Sequence, residues 1–282
     1  GIIQDNGITD LSGMTCTDRL HCVIGDEIYE STYAMTGEML GRQVEYYSTE
    51  DNEILYAFQT KNNNITRIAA VDLETADSQY TKNNIVYTEG NRKKHINIPQ
   101  NVFVVYNGEA LLSYDTNDFK INEGDITCID NDNDSKVDVV VIRNVQYCAV
   151  EKSYPDRNKF SAYNTDDVYD FQENGCEGVF VNSKNQEISL TDISDGNVIA
   201  YIESKSGKVK IGYLLDAAPI SASVTSISSD SVAFGGISYD FSKAYQSTIS
   251  VTAGNAVTAY LTWDNTVFYM QNKGAGAEKY GY

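Results

Sequence analysis

Residues 124–142 read GDITCIDNDNDSKVDVVVI, a glycine, an apolar run, four aspartates within nine residues, then a second apolar run. Asp130, Asp132, Asp134 and Asp138 stand between two segments rich in β-branched residues, which is the pattern of a β-hairpin with an enlarged polar turn. The same design recurs three times. Gly41 opens GRQVEYYSTEDNEIL, Gly196 opens GNVIAYIESKSGKVKI and Gly254 opens GNAVTAYLTWDNTVFYM. Four hairpins of one plan, separated by Asn, Asp, Gly and Ser clusters, predict an all-β chain built as several small barrel- or sandwich-like modules.

The remaining segments agree with that class. Prolines are scarce, long helical periodicity is missing, and 21 tyrosines suit half-buried sheet faces. One short helix is expected in TYAMTGEMLG, where Met35, Met39 and Leu40 share a face and Gly41 stands at the position of a C-terminal cap. Polar stretches at 75–95, 152–167 and 216–223 suggest boundaries. They divide the chain into a module over 1–90, one over 91–155 with the aspartate loop, a hairpin module over 156–216, a small β-barrel over 217–273 and a linker over 274–282.

The net charge of −19 lacks the cationic surface that nucleic acid or an anionic membrane requires. No apolar run is long enough to insert in a bilayer as a helix. The start lacks the basic and apolar regions of a signal peptide, so for a secreted protein such a segment is expected upstream or already removed. Five cysteines, Cys16, Cys22, Cys128, Cys148 and Cys176, form neither a CxxC pair nor a metal-type pattern with histidine. They read as small buried hydrophobes, with a Cys16–Cys22 bridge as the one plausible pairing.

Counted from Asp130, the acids of the loop fall at positions 1, 3, 5 and 9, and position 7 is Lys136, whose carbonyl is the expected backbone ligand. Ca²⁺ takes roughly six to eight oxygen ligands, and carboxylates at alternate loop positions can wrap one ion. An EF-hand is a poor match, because Ser135 replaces the glycine at position 6 and Val141 the bidentate glutamate at position 12. The competing reading is a polar turn. Against it, four like charges within ~6 Å repel by about a kcal/mol or more per pair, an avoidable cost in a loop that only has to turn. The ligand set is therefore Asp130, Asp132, Asp134, Lys136 and Asp138, holding a structural Ca²⁺.

Other constellations carry less. His21 adjoins Cys22, yet neighbours in a strand point to opposite faces, so a Cys–His dyad is not expected. No nucleophile elbow, paired zinc ligands or phosphate loop occurs, and no catalytic residue is assigned. Asp166, Asp167 and Asp170 form a second acidic patch that reads as a solvated turn. Trp263, beside a turn, is either a cover for a small core or a sugar-stacking ring. Arg92-Lys93-Lys94 is the only strong basic cluster of the sequence, and whether an anionic wall polymer docks there is left open.

The segments LGRQVEYYSTEDNEILYAF, NVFVVYNGEALLSYD, ITCIDNDNDSKVDVVVI, ISLTDISDGNVIAYIESKSGKVK and the closing YGY resemble, in their order, the repeated β-rich regions of large secreted, cell-wall-associated proteins of Firmicutes, often found beside S-layer homology domains. In such proteins a glycine usually stands where this loop has Ser135, and YGY commonly opens a further module, so the polypeptide is expected to continue past Tyr282. The resemblance implies an extracellular, cell-surface location, where calcium is plentiful. The reading adopted is a structural or adhesive segment without catalysis, with partners expected among wall polymers, neighbouring surface proteins or copies of the chain itself through strand edges. A virion or filament subunit is the alternative, and a carbohydrate-binding module of a wall enzyme the next.

Overall fold

In the computed structural model, which describes residues 1–13, 20–247 and 250–272, the chain is all-β and divides into two compact units. Unit 1 comprises Gly1–Val145, Gln172–Glu187 and Ile202–Ile211; unit 2 comprises Gln146–Phe171, Ile188–Tyr201 and the segment from Gly212 on.

Unit 1 begins with strands β1 (Ile3–Asp5), β2 (His21–Ile24) and β3 (Glu27–Glu30), joined in one antiparallel sheet. A helix over Tyr33–Thr36 runs into a 3₁₀ turn over Gly37–Met39, where the periodicity predicts a short helix. Met35 and Met39 pack on a core that contains Leu40. Strands β4 (Val44–Ser48) and β5 (Ile54–Gln59) form the first of the four hairpins. β6 (Asn64–Ala69) follows, then the hairpin of β7 (Asn84–Glu89) and β8 (Arg92–Asn97), then β9 (Phe103–Tyr106) and the short β10 (Glu109–Ala110). β11 (Gly124–Asp130) and β12 (Val139–Asn144) complete a five-stranded sheet in the order β10-β9-β12-β11-β6.

That sheet is the centre of unit 1, because it is buried on both faces. On one side Ile126, Cys128, Val140 and Ile142 meet Ile85, Val86 and Phe119; on the other Ile129 and Val139 meet Ile3, Ile24, Leu40 and Ile54. All seven residues of β11 are buried, so its sequence cannot alternate apolar with polar as a half-exposed strand does. The expected boundary at 90 falls inside this unit, since β6 pairs with β11 from Ala69↔Asp125 to Asn64↔Asp130.

Downstream, β13 (Gln146–Tyr154), β14 (Lys159–Ala162) and β15 (Val168–Asp170) make an antiparallel meander in unit 2. β16 (Glu177–Val181) and β17 (Glu187–Ile188) follow, then β18 (Val198–Glu203) and β19 (Val209–Leu214). Within unit 2, Gln146–Ala149 of β13 pairs with Val198–Tyr201 of β18, and the Phe160 ring stacks on Tyr169 at 4.7 Å. The last five strands, β20 (Ile220–Ile227), β21 (Ser231–Phe234), β22 (Ile237–Ser247), β23 (Ala256–Leu261) and β24 (Val267–Asn272), close a barrel in the order β20-β21-β22-β24-β23. Its centre holds Val224, Phe234, Val257, Val267 and Met270. This barrel occupies the stretch for which a small β-barrel is expected. Residues 273–282, with the closing YGY, lie outside the described residues, as does Cys16.

The glycine that opens each of the four hairpins has positive φ: +77° at Gly41, +100° at Gly124, +81° at Gly196 and +91° at Gly254. Side chains rarely adopt that conformation, which is why one residue type recurs there. Gly124 is the most demanding, since a Cβ would lie 1.9 Å from the Arg143 carbonyl oxygen.

Candidate metal centre

The β11–β12 register runs from Gly124↔Asn144 to Ile129↔Val139 and leaves Asp130–Asp138 as the turn. Asp130 is only 5% exposed, with its backbone still in the sheet and its carboxylate turned into the loop. Its two oxygens accept N–H bonds from Asp134 at 3.2 Å and Ser135 at 3.0 Å. The Asp134 N–H is shared with Asp132 Oδ1 at 3.1 Å, and Asp138 Oδ2 accepts the Asn131 N–H at 2.8 Å. These bonds curl the chain around its own carboxylates, which requires left-handed backbone at Asn133 (φ 64°) and Ser135 (φ 70°).

Three of the four predicted acids converge. One carboxylate oxygen from each of Asp130, Asp132 and Asp138 lies within 4.8 Å of the others. The Asp134 carboxylate turns to Lys136 instead, with Oδ1 accepting its N–H at 2.8 Å and Oδ2 meeting Nζ at 2.5 Å. Charge follows this arrangement. Burial pushes the Asp138 carboxyl above the ordinary range; the Asn131 N–H opposes that shift, and the charges of Asp132, Asp130 and Asp134 add to it. The side-chain bond from Lys136, aided by its N–H, draws Asp134 below the ordinary range. A hard divalent cation sized for oxygen ligands would relieve the repulsion among the converging three.

The loop is also anchored to the core. Asn131 is buried and donates from Nδ2 to the Gly41 carbonyl at 2.9 Å, and a Cβ on Gly41 would meet Val139 Cγ2 at 2.8 Å. The turn before the first hairpin thus seats against the start of β12. In sequence Asn131 reads as an ordinary turn residue, and nothing local marks it as the brace. Asp125 was equally hidden. It is fully buried, its oxygens take Arg67 at 3.1 Å and Arg143 at 3.0–3.3 Å, and the Thr127 hydroxyl donates at 3.2 Å.

The other singled-out residues have structural surroundings. His21 faces Glu30 across β2–β3 and Cys22 faces Tyr29, on opposite sides of the strand. Burial pushes the Cys22 thiol up to about 11, and those of Cys128 and Cys148 up to about 12, so all three are protonated at neutral pH. Cys22 is a free thiol, and its expected partner Cys16 lies outside the described residues. In the basic run, Lys93 pairs with Asp77 and Lys94 with Glu89, which spends much of its positive charge within the chain. Asp170 pairs with Lys159 at 2.7 Å and Asp167 with the Thr165 hydroxyl at 2.9 Å, as a solvated turn would. Trp263 is half-buried, with its ring edge-on to Tyr147 at 5.8 Å and to Tyr213 at 6.4 Å, so it covers the core of unit 2.

No family model and no curated protein matches the chain.

Proposed function

We propose that the chain is a non-catalytic structural or adhesive segment of a protein on the outside of the cell, with the turn of its central hairpin locked by a Ca²⁺ ion. The observation that carries this reading is the convergence of Asp130, Asp132 and Asp138 at the end of a sheet buried on both faces. An ion there would fix the turn that connects β11 to β12 and, through Asn131, the Gly41 turn, so its effect would reach the core of unit 1. Its role is stiffening, because every ligand belongs to one loop. Lys136 neutralises Asp134 and leaves three carboxylates for the ion, a modest charge count that suits calcium at extracellular concentration. The partners are a wall polymer or a neighbouring surface protein. β6 and β10 end the five-stranded sheet, the position at which a strand from another chain adds.

Calorimetric titration of CaCl₂ into chelator-treated protein tests the reading. A single saturable site per chain that disappears in Asp132→Ala/Asp138→Asn is expected. Absence of saturable heat at millimolar calcium would remove the ion from the account.

A further inference from the structure

We infer that the outward face of the β4–β5 hairpin is a groove for a neutral, polyhydroxylated ligand of the oligosaccharide class, a function beyond the scaffold role. The hairpin's inward face is spent on the core, through Val44 and Ile54 with Tyr46 and Ala57 beside them. Its outward face is laid out in cross-strand rows: Tyr47 opposite Tyr56, then Glu45 opposite Phe58, then Gln43 beside Thr60. Tyr47 is 67% and Tyr56 60% exposed, and the Tyr56 and Phe58 rings lie 5.7 Å apart. An aromatic surface therefore grades into a polar one along a single ladder.

At the polar end lies an open groove of about 620 Å³, lined among others by Gln43, Glu45, Phe58, Lys61 and Asn62. Gln43 Oε1 accepts from the Thr60 hydroxyl and from Asn62 Nδ2, both at 2.8 Å, which fixes both amides. That leaves Gln43 Nε2 as a donor and Asn62 Oδ1 as an acceptor with no partner among the described residues. Glu45 and Lys61 have no ion-pair partner there either. Fixed amides and a carboxylate match the alternating donors and acceptors of sugar hydroxyls, and ring faces match the C–H side of a pyranose. A lipid chain would desolvate Glu45, Lys61 and the two amides without compensation, and the acidic chain with Glu45 in the groove works against an anionic polymer.

The test titrates the full chain, calcium present, with cellohexaose, maltohexaose and N-acetyl-chitohexaose, followed by calorimetry and amide chemical shifts. At least one probe should bind saturably and shift hairpin resonances. Tyr56→Ala and Gln43→Ala should each weaken it roughly tenfold or more, the loss expected on truncating an anchor. Phe103→Ala, an exposed aromatic on β9, should not. Tyr56→Leu keeps much of the apolar volume should Tyr56→Ala disturb folding, and circular dichroism checks each variant. No binding by any probe, or binding that survives both substitutions, overturns the inference. So does self-association that Tyr56→Ala abolishes while no probe binds, since the face is then a contact between copies.

Discussion

Replacing Asp125 by alanine should unfold the central sheet of unit 1 well before any change in the loop would. The carboxylate has no exposed surface and takes hydrogen bonds from Arg67, Arg143 and Thr127. Removing one member of a buried ionic cluster costs about 3–5 kcal/mol, because the partner charges stay behind without compensation. Two features place this case at the lower end. The Arg67 side chain is 52% exposed and can rehydrate, and Arg143 keeps Glu38 at 3.6 Å. A loss of about 3 kcal/mol is expected, which for a unit of this size lowers Tm by ~6–12 °C. Urea unfolding followed by far-ultraviolet circular dichroism, with scanning calorimetry, reads it. Asp125→Asn keeps the shape and part of the hydrogen bonding, so it should fall between wild type and alanine. With Arg143→Met in the same chain, the Asp125→Ala loss should shrink by more than ~1 kcal/mol, because the two residues share one network. A loss below ~1 kcal/mol for Asp125→Ala would refute the view that this buried cluster holds β6, β11 and β12 together.

Three further outcomes follow from single positions. Gly124→Ala should cost at least ~2 kcal/mol by thermal unfolding, since its Cβ would sit 1.9 Å from a backbone oxygen at φ +100°. Ser135→Gly should raise stability by roughly 0.5–1 kcal/mol without calcium, as Ser135 holds a left-handed conformation (φ 70°) that glycine adopts freely; a loss would mean that the serine side chain supports the turn. Asp138 has its carboxyl raised by burial above the ordinary 3.8, so the folded state binds its proton more tightly than the unfolded state does. The calcium-free wild type, measured against Asp138→Asn, should therefore lose stability as pH rises from about 4 through the raised value, and a flat difference across that interval would contradict the assignment. Calcium should reverse the trend, because it needs the ionised form.

Strands were legible where sequence carries local signals. The β-branched runs and the glycine that opens each hairpin mark β4–β5, β11–β12 and β23–β24, and the positive φ of those glycines is the physical reason for the recurrence. Partners distant in sequence were not legible. β6 joins β11 across 58 residues at Arg67 and Asp125, and β12 runs parallel to β9, neither of which a turn dictates. The aspartate spacing treats Asp132 and Asp134 alike, yet Lys136 captures one and leaves the other facing Asp130 and Asp138. Trp263 lies beside a turn in sequence, and Tyr147 and Tyr213, from other strands, make it a core cover. The aromatic face of β4–β5 has the opposite history: its tyrosines read as sheet filling, and pairing within a lone hairpin turns them outward.

The most direct test of the calcium-locked turn is thermal unfolding in millimolar Ca²⁺ against chelator, for wild type and for Asp132→Ala/Asp138→Asn. Calcium at ~100 times its Kd should add about 2.7 kcal/mol and raise the wild-type Tm by ~5–10 °C, with no shift in the double variant. Equal midpoints in calcium and chelator for the wild type would contradict the account and leave Asp130–Asp138 as a polar turn.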